Sequence, residues 1–246
     1  NAGAITVNQL IGGPDIPVEQ RSEKLRDYFS RLAGRELTVD ERVLDSELDA
    51  ADRNKAFAHM LREAGTISDD AHDAVASYIA QCAVLVTVKD LAAMAATLAN
   101  GGTQPVTGEK VLSTEAARLA QAVMVSSGMY DAAGQWMAHV GIPAKSGVSG
   151  AVLGALPGQV GIGTYSPRLD PFGNSVRGVE MCRIMSEDLD LLEPCMATRS
   201  NIGRVILENV NETLTEYDTQ GGGGLRPRLA ERWEQQPDGS WRFHLR

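Results

Sequence analysis

At Ser146 the residue pattern of this chain changes, and that change most constrains what it can fold into. Val148, Val152, Leu153 and Leu156, then Val160, Ile162 and Tyr165, flank a Pro157-Gly158 turn, the signature of a strand hairpin. The residues before it read as helices. Val18 to Leu32 carries Leu25, Tyr28, Phe29 and Leu32 at helical spacing and is ended by Gly34. Glu47 to Glu63 reads as one continuous helix holding Ala56, Phe57, Met60 and Leu61, stopped by Gly65. Ser68-Asp69-Asp70 opens a helix expected to reach Val86. Thr87-Val88-Lys89-Asp90 is a capping-box start for an Ala-rich helix that ends at Asn100-Gly101-Gly102. Ser113 caps a helix running toward Val125, Gln135 to His139 forms a short one, and Gly173 to Leu189 closes the series. Helices followed by a small, late antiparallel sheet make an α+β arrangement.

Charge and cysteine content narrow the function. The net charge of -9 and pI near 5.0 argue against nucleic-acid and anionic-membrane partners. Cys82, Cys182 and Cys195 are widely spaced, with no C-x-x-C pair, which suits reduced thiols better than a disulfide framework. No apolar run approaches the ~20 residues of a spanning helix. The histidines His59, His72, His139 and His244 lack ligand spacing, so no metal site is expected. Gly161-x-Gly163 lies within the hairpin rather than before a helix, which sets it apart from a dinucleotide fingerprint.

The segment carrying chemistry is Ala144-Lys145-Ser146-Gly147-Val148-Ser149-Gly150, preceded by Ser127-Gly128-Met129-Tyr130-Asp131. A Lys-Ser/Thr-Gly strand edge is what serine β-lactamases and penicillin-binding proteins set opposite their nucleophile. Asn1-Ala2-Gly3-Ala4-Ile5, Asp52-Arg53-Asn54, Leu98-Ala99-Asn100-Gly101-Gly102 and Gly173-Asn174-Ser175-Val176-Arg177-Gly178 accompany it. With these motifs in this order, residues 1–190 resemble the serine-dependent glutaminases. The resemblance implies an incomplete serine β-lactamase/penicillin-binding-protein-like α+β fold, with helices packed on a small antiparallel sheet. It also implies hydrolysis of L-glutamine to L-glutamate and ammonia through a serine ester, with no metal or organic cofactor, in a cytoplasmic dimer or tetramer.

Residue by residue, the resemblance assigns Tyr130 to proton exchange with the nucleophile and leaving group; the alternative is a packed aromatic at a helix edge. Lys145 either assists proton transfer or raises the local positive potential. The backbone of Val148 would help bind the substrate carbonyl while its side chain merely packs, as it would in an ordinary strand. Glu47 would face the substrate α-ammonium, a charge-assisted pairing; on spacing alone it is a solvated acid among Asp45, Asp49 and Asp52. Asn54 and Asn1 would hold the α-carboxylate end, with Tyr78 as a hydroxyl donor. Glu47 and Asn54 would share one face of a continuous helix.

The family's Ser-x-x-Lys nucleophile motif lies upstream of its Asn-Ala-Gly-Ala segment, and none of the 246 residues here forms such a motif. The expectation is therefore an N-terminally truncated glutaminase that is inactive as it stands. From residue 191 onward the pattern differs. Leu192-Glu193-Pro194, Asn209 to Leu214, Tyr217-Asp218, Pro227 to Trp233 and Asp238 to Arg246 resemble the N-terminal part of periplasmic oligopeptide- and dipeptide-binding proteins, which are exported. Two units, 1–190 and 191–246, are expected, joined near Asp190. The rival readings are a peptide-binding component of an ABC transporter, defined by the tail, and a non-catalytic glutamine or glutamate binder that keeps Glu47, Asn54 and Tyr78.

Overall fold

Helix signals in the sequence become helix ends in space. The structure, a computed structural model, describes residues 1–13, 16–187, 215–217, 225–227, 230–237 and 241–245. Helix α1 (Ala2–Asn8) is followed by α2 (Val18–Ala33), closed by Gly34 in the left-handed region at φ 76°, a conformation glycine adopts without strain. Asp40 caps α3 (Glu41–Asp49) by accepting from the amides of Arg42 and Val43. Helix α4 (Asp52–Glu63) follows, and Asp70 caps α5 (Ala71–Cys82). The expected capping box forms at α6 (Val88–Ala99): the Thr87 hydroxyl accepts from the Asp90 amide, and the Asp90 carboxylate from the Thr87 amide. Ser113 caps α7 (Thr114–Ser127); a 3-10 turn (Tyr130–Ala132) then leads into α8 (Ala133–His139).

Strands β1 (Ala144–Ser146), β2 (Ala151–Leu156) and β3 (Val160–Tyr165) form an antiparallel sheet in the order β1-β2-β3. Lys145 lies opposite Leu153, and Leu156 opposite Val160 across the Pro157-Gly158 turn. Helix α6 lies directly on β3 because Gly161 and Gly163 expose bare backbone to it. A Cβ on Gly163 would sit 2.6 Å from the Val88 carbonyl oxygen and 2.8 Å from the Ala92 nitrogen. On the sheet side, Ala95 and Ala155 are buried with Met124. A second core gathers Ile5, Ala51, Ala58, Ile67, Ala74, Val75 and Ile79, where α1, α3 and α4 meet α5.

Four expectations need correction. The helix expected over Glu47 to Glu63 is two helices, broken at Ala50-Ala51. Ala51 is buried among Ile5, Ala58 and Ala74, and its carbonyl starts α4 by accepting from Lys55 at 2.9 Å. The shared helical face of Glu47 and Asn54 is lost with it. The helix expected to reach Val86 ends at Cys82, because Val84 pairs in an antiparallel bridge with Val39. The last helix, α9 (Val176–Glu187), begins after Gly173, whose φ of 94° is incompatible with helix; Leu189 lies outside the described residues. Val148 falls in the turn between β1 and β2, 71% exposed, so its side chain neither packs nor belongs to a strand.

Asn1–Cys182 forms one compact unit and Arg183–Arg246 another. In the second, β4 (Thr215–Tyr217) pairs antiparallel with β5 (Leu225–Pro227), and β6 (Ala230–Gln235) with β7 (Trp241–Leu245), placing Trp233 opposite Phe243. The expected join near Asp190, and the quoted residues 192–194 and 209–214, lie outside the described residues.

Candidate active site

Tyr130 enters its 3-10 turn at φ 52°, a positive value found at no other non-glycine among the described residues. Strain of this kind persists where the surroundings over-determine it. The chain reaches it through Gly128, whose α-carbon lies so close to the Ala144 carbonyl that a side chain would collide; the Gly128 carbonyl accepts from the Ser146 amide at 3.0 Å. This contact joins the Tyr130 turn to β1, so Lys145 arrives beside the ring. Its Nζ lies 4.6 Å from the ring centroid, in the cation–π range, and donates to the Ser146 carbonyl. Lys145 is exposed as a whole residue, yet crowding around its ammonium end lowers its pKa from the usual lysine value. Gly173 approaches the ring edge: a Cβ there would stand 3.6 Å from Tyr130 Cε2 and 4.0 Å from Val148 Cγ1.

Helix α5 supplies the next group. Burial pushes the Tyr78 hydroxyl up to about 12, with the charges of Cys82, Glu47 and Tyr130 adding to the rise. Tyr78 therefore stays a neutral donor throughout the physiological range. Cys82, one turn along α5, lies beside Tyr78, and its thiol is raised, mainly by burial of the sulfur, although the residue as a whole is exposed. Glu47 reaches this group from α3, which packs on α5. It also lines a depression of about 340 Å³ with Asp40, Arg42, Val43 and Ser46.

Asn1 and Asn54 pair directly, Asn1 Nδ2 donating to Asn54 Oδ1 at 2.7 Å. This pair is a separate cluster whose connection to the tyrosines runs through α5, on which α1 and α4 both pack. The structure thus sets Lys145 over the Tyr130 ring, brings Gly173 beside both that ring and Val148, puts Glu47 and Tyr130 each in electrostatic reach of Tyr78, and joins Asn1 to Asn54. Among the described residues, no group of three or more His, Cys, Asp or Glu side chains is placed to hold a metal ion.

Three residues escaped the sequence reading. Cys82 stands four residues after Tyr78, a helical spacing that places the two side chains together. Gly173 and Asn174 were visible within a motif, without any sign that they touch the Tyr130 segment. That contact depends on tertiary folding, as Asn174 Nδ2 donating to the Met129 carbonyl shows.

Chemically, a neutral hydroxyl donor, a carboxylate and a paired amide cluster suit the two charged ends of an amino acid. A phenol beside a partly desolvated ammonium suits proton transfer. Comparisons with known proteins supply the family. A family model described as Glutaminase matches residues 1–192. A glutaminase of Corynebacterium glutamicum is 61% identical over 191 residues, 78% of this chain and 46% of that protein. Glutaminase 1 of Bradyrhizobium diazoefficiens is 46% identical over 234 residues, 95% of this chain and 36% of that protein. That match is longer than the 192 residues at which the family model stops, so it continues into the tail. The crystal structure of Mglu in its glutamate form superposes with a TM-score of 0.74 at 58% identity, over 77% of this chain and 43% of that one. The chain spans about half the length of the curated glutaminases of Corynebacterium that it matches. Its fold is the β-lactamase-like fold of the solved glutaminases. By sequence and fold, the chain belongs to the glutaminase family.

Proposed function

We propose that these residues form the substrate clamp and proton-transfer side of an enzyme hydrolysing the side-chain amide of L-glutamine to L-glutamate and ammonia. The observation that carries this reading is the position of Lys145 Nζ over the Tyr130 ring, with Tyr78 and Glu47 in electrostatic reach. Glu47 receives the α-ammonium, while Asn54, Asn1 and the neutral Tyr78 hydroxyl hold the α-carboxylate. The backbone at Val148 faces the reacting carbonyl, and Tyr130 relays the proton between nucleophile and departing ammonia, with the Lys145 ammonium over its ring. The glutamate-bound Mglu structure supports the ligand class.

No Ser-x-x-Lys segment occurs in these 246 residues. A polypeptide of these residues alone is therefore expected to bind without turnover, since residual oxyanion and binding effects leave little catalysis once the nucleophile is gone. Calorimetry with L-glutamate and an ammonia-release assay with L-glutamine test both halves of the proposal. Heat with glutamate and no ammonia is the expected outcome. Clear turnover overturns the assignment of the nucleophile to other residues, and silence at millimolar glutamate overturns the clamp. The dimer or tetramer implied by the family belongs to the same proposal, and a purely monomeric sedimentation profile would contradict it. The continuation of the Bradyrhizobium match past residue 192 supports a tail that belongs to a glutaminase polypeptide, leaving the transporter reading with only its motif resemblance.

A further inference from the structure

Tyr130 occupies its left-handed conformation at φ 52° without the glycine, asparagine or aspartate that usually tolerates it. Something outside its own turn must hold it there. The peptide plane before Tyr130 ends in the Met129 carbonyl, which accepts from two donors, the Ala132 amide at 3.2 Å and Asn174 Nδ2 at 3.3 Å. The first is local to the turn. The second comes from 45 residues away, on a side chain only 1% exposed.

The segment that carries Asn174 is itself anchored on both sides. Asp170 Oδ1 accepts from the amides of Phe172 and Asn174, each at 2.9 Å, and the Asp170 amide donates back to the Asn174 carbonyl at 2.8 Å. One residue on, Ser175 Oγ donates to the Ser166 carbonyl at 2.7 Å at the end of β3. One residue earlier, Gly173 presents bare backbone to the Tyr130 ring. Asn174 Oδ1 is buried with no hydrogen-bond partner among the described residues, so it is the donor end that sets how the amide lies.

We propose that Asn174 is a positioning residue: it locks the Met129–Tyr130 peptide through its Nδ2–carbonyl bond and thereby holds the Tyr130 ring beside Lys145. This rests on the reading of Tyr130 as the proton-transfer group, but the clamp itself makes a claim that needs no turnover to test. A side chain that merely filled space would keep the core intact without fixing the ring. A clamp, once removed, lets the strained residue relax and uncovers the Lys145 ammonium.

The test uses the full chain with its lysines carrying ¹³C-methyl labels. Lys24, Lys55, Lys89, Lys110 and Lys145 give a spectrum with few signals, and Lys145→Arg identifies the one of interest. Burial holds that ammonium below the usual lysine titration. Asn174→Ala removes the clamp, and Asn174→Asp removes the donor at nearly constant volume. Both are expected to move the Lys145 midpoint upward while the other four stay in place. Thr97→Ala, which removes a buried hydroxyl bonded to the Leu32 carbonyl on α2, is expected to lower the unfolding midpoint and leave Lys145 unmoved. An unchanged Lys145 titration in folded Asn174 variants overturns the clamp. So does failure of both variants to fold, which would make Asn174 a general core group. Glutamate calorimetry on the unaltered chain separates the two claims: absence of heat removes the functional reading, while the Lys145 shift still decides the clamp.

Discussion

Lys145 and Tyr78 show how one physical effect, desolvation, pushes two ionisable groups toward opposite uses. Crowding disfavours charge on both, so the ammonium is more readily deprotonated and the phenol less so. For Lys145 the unfolded chain holds its proton up to the usual lysine value, whereas the folded chain releases it earlier. Folding is thus penalised while the group is charged, and stability rises with pH through the window that ends near 10.5, the ordinary lysine value. Lys145→Met is expected to flatten that alkaline rise, read from urea unfolding between neutral and high pH. Tyr78, pushed up to about 12, donates as a neutral hydroxyl. Tyr78→Phe should therefore weaken L-glutamate binding by ~10- to 150-fold, the worth of one hydrogen bond to a charged group, with no change in its pH dependence below ~9. Calorimetry at two pH values checks both parts.

Among the elements, α6 and its seat on β3 show what local sequence rules can and cannot reveal. Thr87 and Asp90 announced the start of α6 and Asn100-Gly101-Gly102 its end, because caps are made by residues near in sequence. The Arg35–Asp90 ion pair at 2.6 Å was not readable, since it joins the end of α2 to the start of α6 across 55 residues. The hydrogen bond from Arg35, more than any other contact, lowers the Asp90 pKa to about 2. Its stabilising effect is present above the ordinary value of 3.8 and disappears as the pH falls through about 2. Asp90→Asn is expected to remove that acid-dependent part of the unfolding curve, while the substituted amide oxygen can still accept from the Thr87 amide. Gly161 and Gly163 were read only for what they were not. Their role is close approach: a Cβ on Gly161 would lie within 2.6 Å of the Ala95 carbonyl carbon. Gly161→Ala should cost about 1–3 kcal/mol by overpacking backbone against backbone, measurable as a shift in the urea midpoint.

For the molecule as a whole, the division between legible and hidden follows sequence distance. The hairpin, the α+β order and the family motifs were legible because each is written within a few residues. The break at Ala50-Ala51 was hidden because its cause, burial of Ala51 against Ile5 and Ala74, lies in other elements. The same holds for Arg21 on α2, whose partners all lie in other segments. It is fully buried, donating to the Ile11 and Gly13 carbonyls, to Gln9 Oε1, and to Asp69 Oδ2 at 2.6 Å. A single guanidinium thus fastens the chain leaving α1 to α2 and to the residues preceding α5, and α1 begins with the Asn1 that meets Asn54. Lysine cannot replace it, because its point charge lacks the planar fork needed to reach four acceptors in different directions. Arg21→Lys is expected to destabilise the protein by ~3 kcal/mol, as expected when a buried ion pair is left incomplete. Hydrogen exchange supplies the distinguishing readout: the amides of Ile11 and Gly13 donate to the Asn8 and Leu10 carbonyls and should lose protection first, before those of α6. Uniform loss of protection across α1, α5 and α6 would show that Arg21 stabilises the unit generally rather than fastening this one segment.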